Sequence, residues 1–358
     1  MKIAITADAH LRSRSETPER YAALENIFEQ SERENIEQVF ILGDLFDRDF
    51  NNYHDFDRLC QVHQGLKITV LPGNHDSGLK GKFFTAENVR VIEEPRLEPV
   101  NEKLNFLFFP YDEALTLDEA IEVFMNKNGP PGRFVLFGHG DWLSGSRPSN
   151  TYEKGFYMPL SLRAVEKFSP LRIFLGHIHQ ADPKIDQSVV VYPGSPCGLE
   201  INETGPRRFL VYEPENNRLE KREVVTTVIY FKETLLALPV EDEISRLREM
   251  VKKMIEGWKV GEQDLEKVKL RLQVRGFTRD KGALAKFISE EIARHNISFY
   301  DEGGADFSEL KIVSDESEAR ILLLKKIQER LQELDLSKFL ASPGDVLEEA
   351  AEIIFGGK

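Results

Sequence analysis

Apolar residues in the first two hundred positions come in short, nearly unbroken runs, at residues 2–6, 38–42, 67–71, 106–109, 134–137, 172–175 and 189–192. Runs of this length without polar alternation are the pattern of strands buried on both faces. Between them, stretches at 18–35, 53–63, 115–126 and 160–168 space their apolar residues as helices do. Strands alternating with helices predict an α/β layered domain. Further on the pattern predicts a helix over 240–256, a strand over 268–274, a helix over 281–294 and a strand over 310–313, a small α+β unit. The tail predicts two helices. Ile321, Leu324, Ile327, Leu331 and Leu334 lie near one stripe, widened by Leu322 and Leu323. A second helix has Ser342 as N-cap and Pro343 at its first position, then presents Val346, Leu347, Ala350, Ile353 and Ile354. The organisation expected is therefore 1–225, 226–314 and 315–358.

Composition narrows the classes. With 358 residues, 41% of them hydrophobic, the chain can fill about two domain cores, and wholesale disorder is excluded. No stretch approaches the ~20 apolar residues of a membrane span. Residues 1–7 read as a strand rather than a signal peptide. Cys60, in an apolar stripe with Phe56 and Leu59, and Cys197 cannot form a disulfide framework, so a reducing cytoplasm is expected. Net charge is -14, from 47 basic and 61 acidic residues, which argues against a surface coated for nucleic acid. The charge is uneven: -9 over 1–225, -1 over 226–314 and -4 over 315–358.

Polar chemistry gathers where the apolar runs stop. Five runs end in Ala7-Asp8-Ala9-His10, Gly43-Asp44, Gly73-Asn74-His75-Asp76, Gly138-His139 and Gly176-His177-Ile178-His179. Of the eight histidines, all but His54, His63 and His295 lie in these clusters. Strand alternation points Asp8 and His10 the same way, and likewise His177 and His179. Glycine before a ligand lets the backbone turn sharply or an ion approach closely. Ligands at several neighbouring strand ends converge on one cleft. Any one pair alone would be an ordinary turn; five together point to a metal site. Imidazole, carboxylate and carboxamide donors suit Mn²⁺, Fe²⁺ or Zn²⁺ with positions open to water. Seven donors exceed what one such ion takes but suffice for two sharing a carboxylate, roughly 3.5–4 Å apart, the arrangement for displacement at phosphorus. The remaining histidine is placed to protonate a leaving oxygen.

The motifs resemble the calcineurin-like metallophosphoesterase superfamily, whose pattern of Asp-x-His, Gly-Asp, Gly-Asn-His-Asp/Glu, Gly-His and Gly-His-x-His stands here in order over residues 1–200. The resemblance implies a layered α-β-β-α sandwich, a small α+β capping domain and C-terminal helices. It implies that Asp8, His10 and His179 hold one metal, that Asn74, His139 and His177 hold the other, and that Asp44 bridges them. His75 would be the catalytic histidine, oriented by Asp76. Asp8-Ala9-His10-Leu11, Gly43-Asp44-Leu45-Phe46-Asp47, Leu71-Pro72-Gly73-Asn74-His75-Asp76-Ser77 and Tyr192-Pro193-Gly194-Ser195 look like SbcD-type DNA repair nucleases and the related YhaO-type exonucleases. That likeness implies a manganese-dependent homodimeric nuclease acting on DNA ends and single strands, partnered by an SbcC-type coiled-coil ATPase bound through the C-terminal helices. Those helices serve either that docking or the chain's own core. Arg12, Arg14 and Arg147 are candidate phosphate contacts, and Trp142 is a candidate for stacking on a base. Two other functions remain open: a phosphodiesterase for a nucleotide or other small molecule, and a non-catalytic scaffold for DNA ends.

Overall fold

The computed structural model describes residues 1–143, 155–185, 187–240, 242–313, 318–333 and 343–355. Met1–Leu199 with Pro206–Thr227 form one compact unit, and Glu200–Gly205 with Val228–Lys358 form a second.

The first unit runs β1 (Ile3–Thr6), α1 (Pro18–Arg33), β2 (Gln38–Leu42), α2 (His54–Val62), β3 (Lys67–Leu71), β4 (Val89–Val91), β5 (Arg96–Asn101) and β6 (Leu104–Phe109). It continues with α3 (Leu117–Asn128), β7 (Phe134–His139), β8 (Trp142–Leu143), β9 (Leu160–Ser161), α4 (Leu162–Phe168), β10 (Arg172–Gly176), β11 (Val190–Val191), β12 (Arg207–Glu213) and β13 (Arg218–Val224). One sheet has the order β13-β12-β1-β2-β3-β4 and the other β11-β10-β7-β6-β5. Strands β1 to β4 run parallel, as do β6, β7, β10 and β11.

Side-chain alternation sorts the layers. Phe40 and Leu42 of β2 and Val135 and Phe137 of β7 fill the space between the sheets, where Phe40 meets Phe106, Phe108 and Phe137 edge-on. Leu136, Ile173 and Leu175 face outward onto α3 and α4. On the opposite side α1 buries Tyr21, Leu24, Ile27 and Phe28. The result is the α-β-β-α sandwich. Two helix starts lie two residues later than the periodicity suggests, because caps fix them. The Thr116 side chain accepts from Glu119 N and Thr116 N donates to the Glu119 carboxylate in return, so α3 begins at Leu117; Ser161 caps α4 by accepting from Ala164 N.

In the second unit β14 (Ile229–Ala237), α5 (Glu243–Gly257), β15 (Val268–Thr278), α6 (Lys281–Arg294), β16 (Ser298–Phe299) and β17 (Leu310–Ile312) form a sheet in which every pair is parallel. Trp258 is buried there, stacked on Phe231 at 4.3 Å between centroids. The helices α7 (Glu318–Gln332) and α8 (Pro343–Phe355) follow. They bury Leu324, Leu331, Leu347 and Ala351 in a cluster with Leu238, Val240, Phe277 and Val313 of the same unit. Leu322, Leu323 and Ile353 stay exposed. Leu334 and the expected cap Ser342 lie outside the described residues. Among the described residues no helix is long and apolar enough to cross a membrane.

Candidate metal centre

The carboxyl ends of β1, β2, β3, β7 and β10 deliver the chemistry. Asp8 and His10 follow β1, Asp44 follows β2, Asn74 and His75 follow β3, His139 ends β7, and His177 and His179 follow β10. Backbone bonds hold these ends together: Asp8 N donates to Gly43 O at 3.0 Å and His10 N to Asp44 O at 2.9 Å. His177 N donates to Asp8 Oδ1 at 2.8 Å, tying one sheet to the other. The turns are tight enough that Asp8, His10, Asp44 and His177 take φ of 55°, 46°, 49° and 99°. Left-handed backbone at non-glycine residues costs free energy and persists where the surroundings enforce it. Gly176 is needed for a different reason. A Cβ there would lie 1.7 Å from Leu42 O, the carbonyl that pairs with His139 Nδ1 at 2.9 Å.

Three overlapping groups bring their donor atoms within 4.8 Å of one another: Asp8, His10 and His179; His10, Asp44 and His75; Asp44, His139 and His177. Asp44 Oδ2 sits between them, 3.7 Å from His10 Nε2 and 3.4 Å from His139 Nε2. Asn74 Oδ1 lies 2.9 Å from His139 Nε2 and 3.1 Å from His177 Nδ1. All seven residues expected as ligands are thus in one place.

Their donor chemistry fits a pair of cations. His10 Nε2 and His179 Nε2 face each other at 3.1 Å, and Asp8 Oδ2 is buried with no hydrogen-bond partner among the described residues. Leu42 O accepts from His139 Nδ1, which leaves the Nε2 lone pair aimed at two oxygens. Lone pairs gathered in this way require positive charge. Without an ion a proton must supply it: burial pushes His139 down, but Asp44, followed by Asp8, reverses this and raises it to about 9. Burial and the neighbouring His139 push His177 down to about 3, leaving it an uncharged donor. Burial, with Asp44 nearby, raises Asp8 to about 7.

Of the catalytic pair anticipated from sequence, Asp76 accepts from Gly73 N through Oδ1 at 2.7 Å and from Phe46 N through Oδ2 at 3.1 Å, so its carboxylate braces two loops of the cluster. A carboxylate that lies beside the His75 ring is Asp47, with Oδ1 3.5 Å from His75 Nδ1 and 3.9 Å from His10 Nδ1. Asp47 belongs to a quoted motif but carried no role in the sequence reading. Asp141 is the second omission: Oδ1 lies 3.6 Å from His177 Nε2 and Oδ2 accepts Tyr157 N at 2.7 Å. Its position two residues after His139 on an extended segment was the available signal. Tyr157, whose ring is 5.0 Å from that of His177, had none.

The substrate candidates separate. Arg12 reaches the site's edge through Asp47 Oδ2 at 3.3 Å and also pairs with Glu16. Arg14 is held by Glu25 on α1. Trp142 is half-buried and packs against the outer apolar cluster. Arg147 lies outside the described residues.

Comparison with known proteins agrees with this geometry. The profile of the family described as calcineurin-like phosphoesterase matches residues 1–181. The metallophosphoesterase YhaO of Bacillus subtilis (strain 168) is 23% identical over 256 residues, which cover 64% of this chain and 60% of that protein, so the match spans less than two thirds of its relative. Among solved structures, TT1561 of Thermus thermophilus is 12% identical with a TM-score of 0.40, covering 62% of this chain and 98% of its own. A dimetal phosphatase from Danio rerio is also 12% identical at 0.40, covering 63% and 96%.

Proposed function

The chain belongs to the calcineurin-like phosphoesterase family, and from that premise we propose that it is a manganese-dependent DNA nuclease of the SbcD and YhaO kind. Membership makes it a metal-dependent phosphoester hydrolase. The observation that carries the proposal is the convergence of seven donors with His75 beside them; the resemblance of the surrounding motifs to those nucleases supports it. Asp8, His10 and His179 would hold one ion and Asn74, His139 and His177 the other, with Asp44 shared. What the ions supply when bound is a nucleophilic water at neutral pH and charge to offset the phosphoryl oxygens. His75 then acts as the acid. Asp47 beside Nδ1 holds a proton there and directs Nε2 toward the leaving oxygen. DNA ends and single strands are the proposed substrate, a homodimer the working form, and an SbcC-type ATPase the partner of the C-terminal helices.

The test incubates the full chain with linear duplex and single-stranded DNA in Mn²⁺, Mg²⁺ or chelator, with and without the ATPase, against His75→Ala. Metal-dependent shortening of DNA that the variant lacks is expected. Hydrolysis of bis(p-nitrophenyl) phosphate with DNA left intact would assign a small-molecule phosphodiesterase instead. Retention of DNA ends without cleavage in any metal would assign a scaffold.

A further inference from the structure

A cavity of about 410 Å³ opens in the first unit beside α3, and none of the proposed metal ligands lines it. Its volume is that of a small-ligand site. Met158, Phe124 and Leu115 make an apolar interior. The rim carries Glu93, Glu94 and Asp112 against the one amine of Lys127.

Two residues connect this cavity to the site. Tyr111 lines it and stands edge-on to His139, at 6.2 Å between centroids and 88° between planes. Its backbone N donates to Pro72 O at 3.0 Å, directly before the loop that carries Asn74 and His75. Met158 lines the cavity next to Tyr157, whose ring contacts His177. The cavity thus adjoins the His139 and His177 side of the cluster, not the side of His10 and His179.

We propose that this cavity receives one nucleobase of the nucleotide whose phosphate is hydrolysed, an inference that rests on the phosphodiesterase reading of the site. A carboxylate rim repels phosphate and suits an uncharged ring bearing amino donors, so charge sorts the two halves of a nucleotide. The phosphate goes to the imidazole cluster and the base to the apolar pocket. A cavity of this volume takes a small ligand and not a base-paired duplex, so the occupant is an unpaired base at an end or in a single strand.

The experiment compares deoxyadenosine 5′-p-nitrophenyl phosphate with methyl p-nitrophenyl phosphate in Mn²⁺, reading the ratio of kcat/KM values. Partial loss of folded protein scales both substrates equally and leaves the ratio unchanged. The wild-type chain is expected to prefer the nucleoside ester by about 10- to 100-fold. Leu115→Trp, which fills the interior, and Val123→Trp, at a rim position 59% exposed on α3 and therefore tolerant of substitution, should reduce the ratio to near one. A ratio near one in the wild type, or a preference that survives both substitutions, overturns the proposal. If neither ester is hydrolysed in any metal, the phosphodiesterase reading fails and binding decides the cavity. Deoxyadenosine titrated by calorimetry should then bind the wild type and not Leu115→Trp, and absence of binding to the wild type overturns the assignment.

Discussion

Asp47 lies beside two imidazoles at once, that of His75 as the proposed acid and that of His10 as a proposed ligand, and the proximity of His10 and then His75 holds it well below the usual carboxylate range. It is therefore charged wherever the enzyme works. His75→Ala should lower kcat for phosphodiester hydrolysis by roughly 10²–10⁴-fold. Asp47→Asn keeps the shape but removes the charge behind Nδ1, and should cost about 10- to 100-fold. Metal content by mass spectrometry separates the causes: near-normal loading in both variants is expected, and an Asp47→Asn protein that loses its metal while keeping normal turnover per ion would remove Asp47 from the acid's support. The members of the cluster were legible because each follows a short apolar run, usually after a glycine, and that local pattern survives in the chain as written. Asp47 beside His75 was not, because the contact joins two loops that sequence leaves 28 positions apart. Nor was the brace formed by Asp76, since its partners are backbone amides of Gly73 and Phe46, which no side-chain pattern reports.

Elements were easiest to read where both faces are apolar, as in β2, β7 and β10, and hardest where a polar group sits at an inward position. Strand β14 alternates cleanly except at Glu233, which takes an inward place and accepts from Trp258 Nε1 at 2.7 Å. A carboxylate there breaks the hydrophobic period although the indole satisfies it. Helix α5 holds a similar exception with a measurable consequence. Glu243 in its first turn accepts from Thr278 Oγ1 on β15 at 3.1 Å, while Oε1 is buried without a hydrogen-bond partner among the described residues. Burial raises its pKa to about 7, against smaller opposing effects of Thr278 and Arg279. A raised carboxyl favours the protonated fold, so its contribution is complete below pH 4.5, where the unfolded chain is also protonated, and is lost as pH rises through about 7. Glu243→Gln keeps the hydrogen bond without the charge. It should leave stability near pH 4 unchanged and add about 1–2 kcal/mol at pH 8, after allowance for partial exposure. Urea midpoints at pH 4, 6 and 8 check this, and parallel pH curves for the two proteins would exclude Glu243 as the titrating group.

At the scale of the whole molecule the net charge of -14 sets the terms on which DNA can be held. Many of the basic side chains are already engaged: Arg12 with Glu16 and Asp47, Arg14 with Glu25, Arg90 with Glu98, Arg222 with Glu34 and Arg271 with Asp301. A guanidinium paired in this way must give up its carboxylate before it can meet a phosphate, and the surplus of 61 acidic over 47 basic side chains opposes an approaching polyanion. Two bound divalent ions would add positive charge only at the cleft, where Asp8 and Asp44 already offset it. Binding by the isolated chain should therefore be weak and governed by a small number of phosphate contacts. For two to four such contacts, the logarithm of the affinity should fall with the logarithm of salt at a slope of about -2 to -4, shallow beside a basic DNA-binding surface. Fluorescence anisotropy of a labelled duplex with His75→Ala protein, between about 50 and about 200 mM salt, measures that slope without cleavage. A partner that supplies the missing cations should steepen the slope when added, since each new phosphate contact contributes nearly one unit. A slope of about -6 or steeper for the isolated chain, or tight binding that persists at the highest salt, would mean that its own surface grips DNA despite the acidic balance, and that no partner is needed for the purpose.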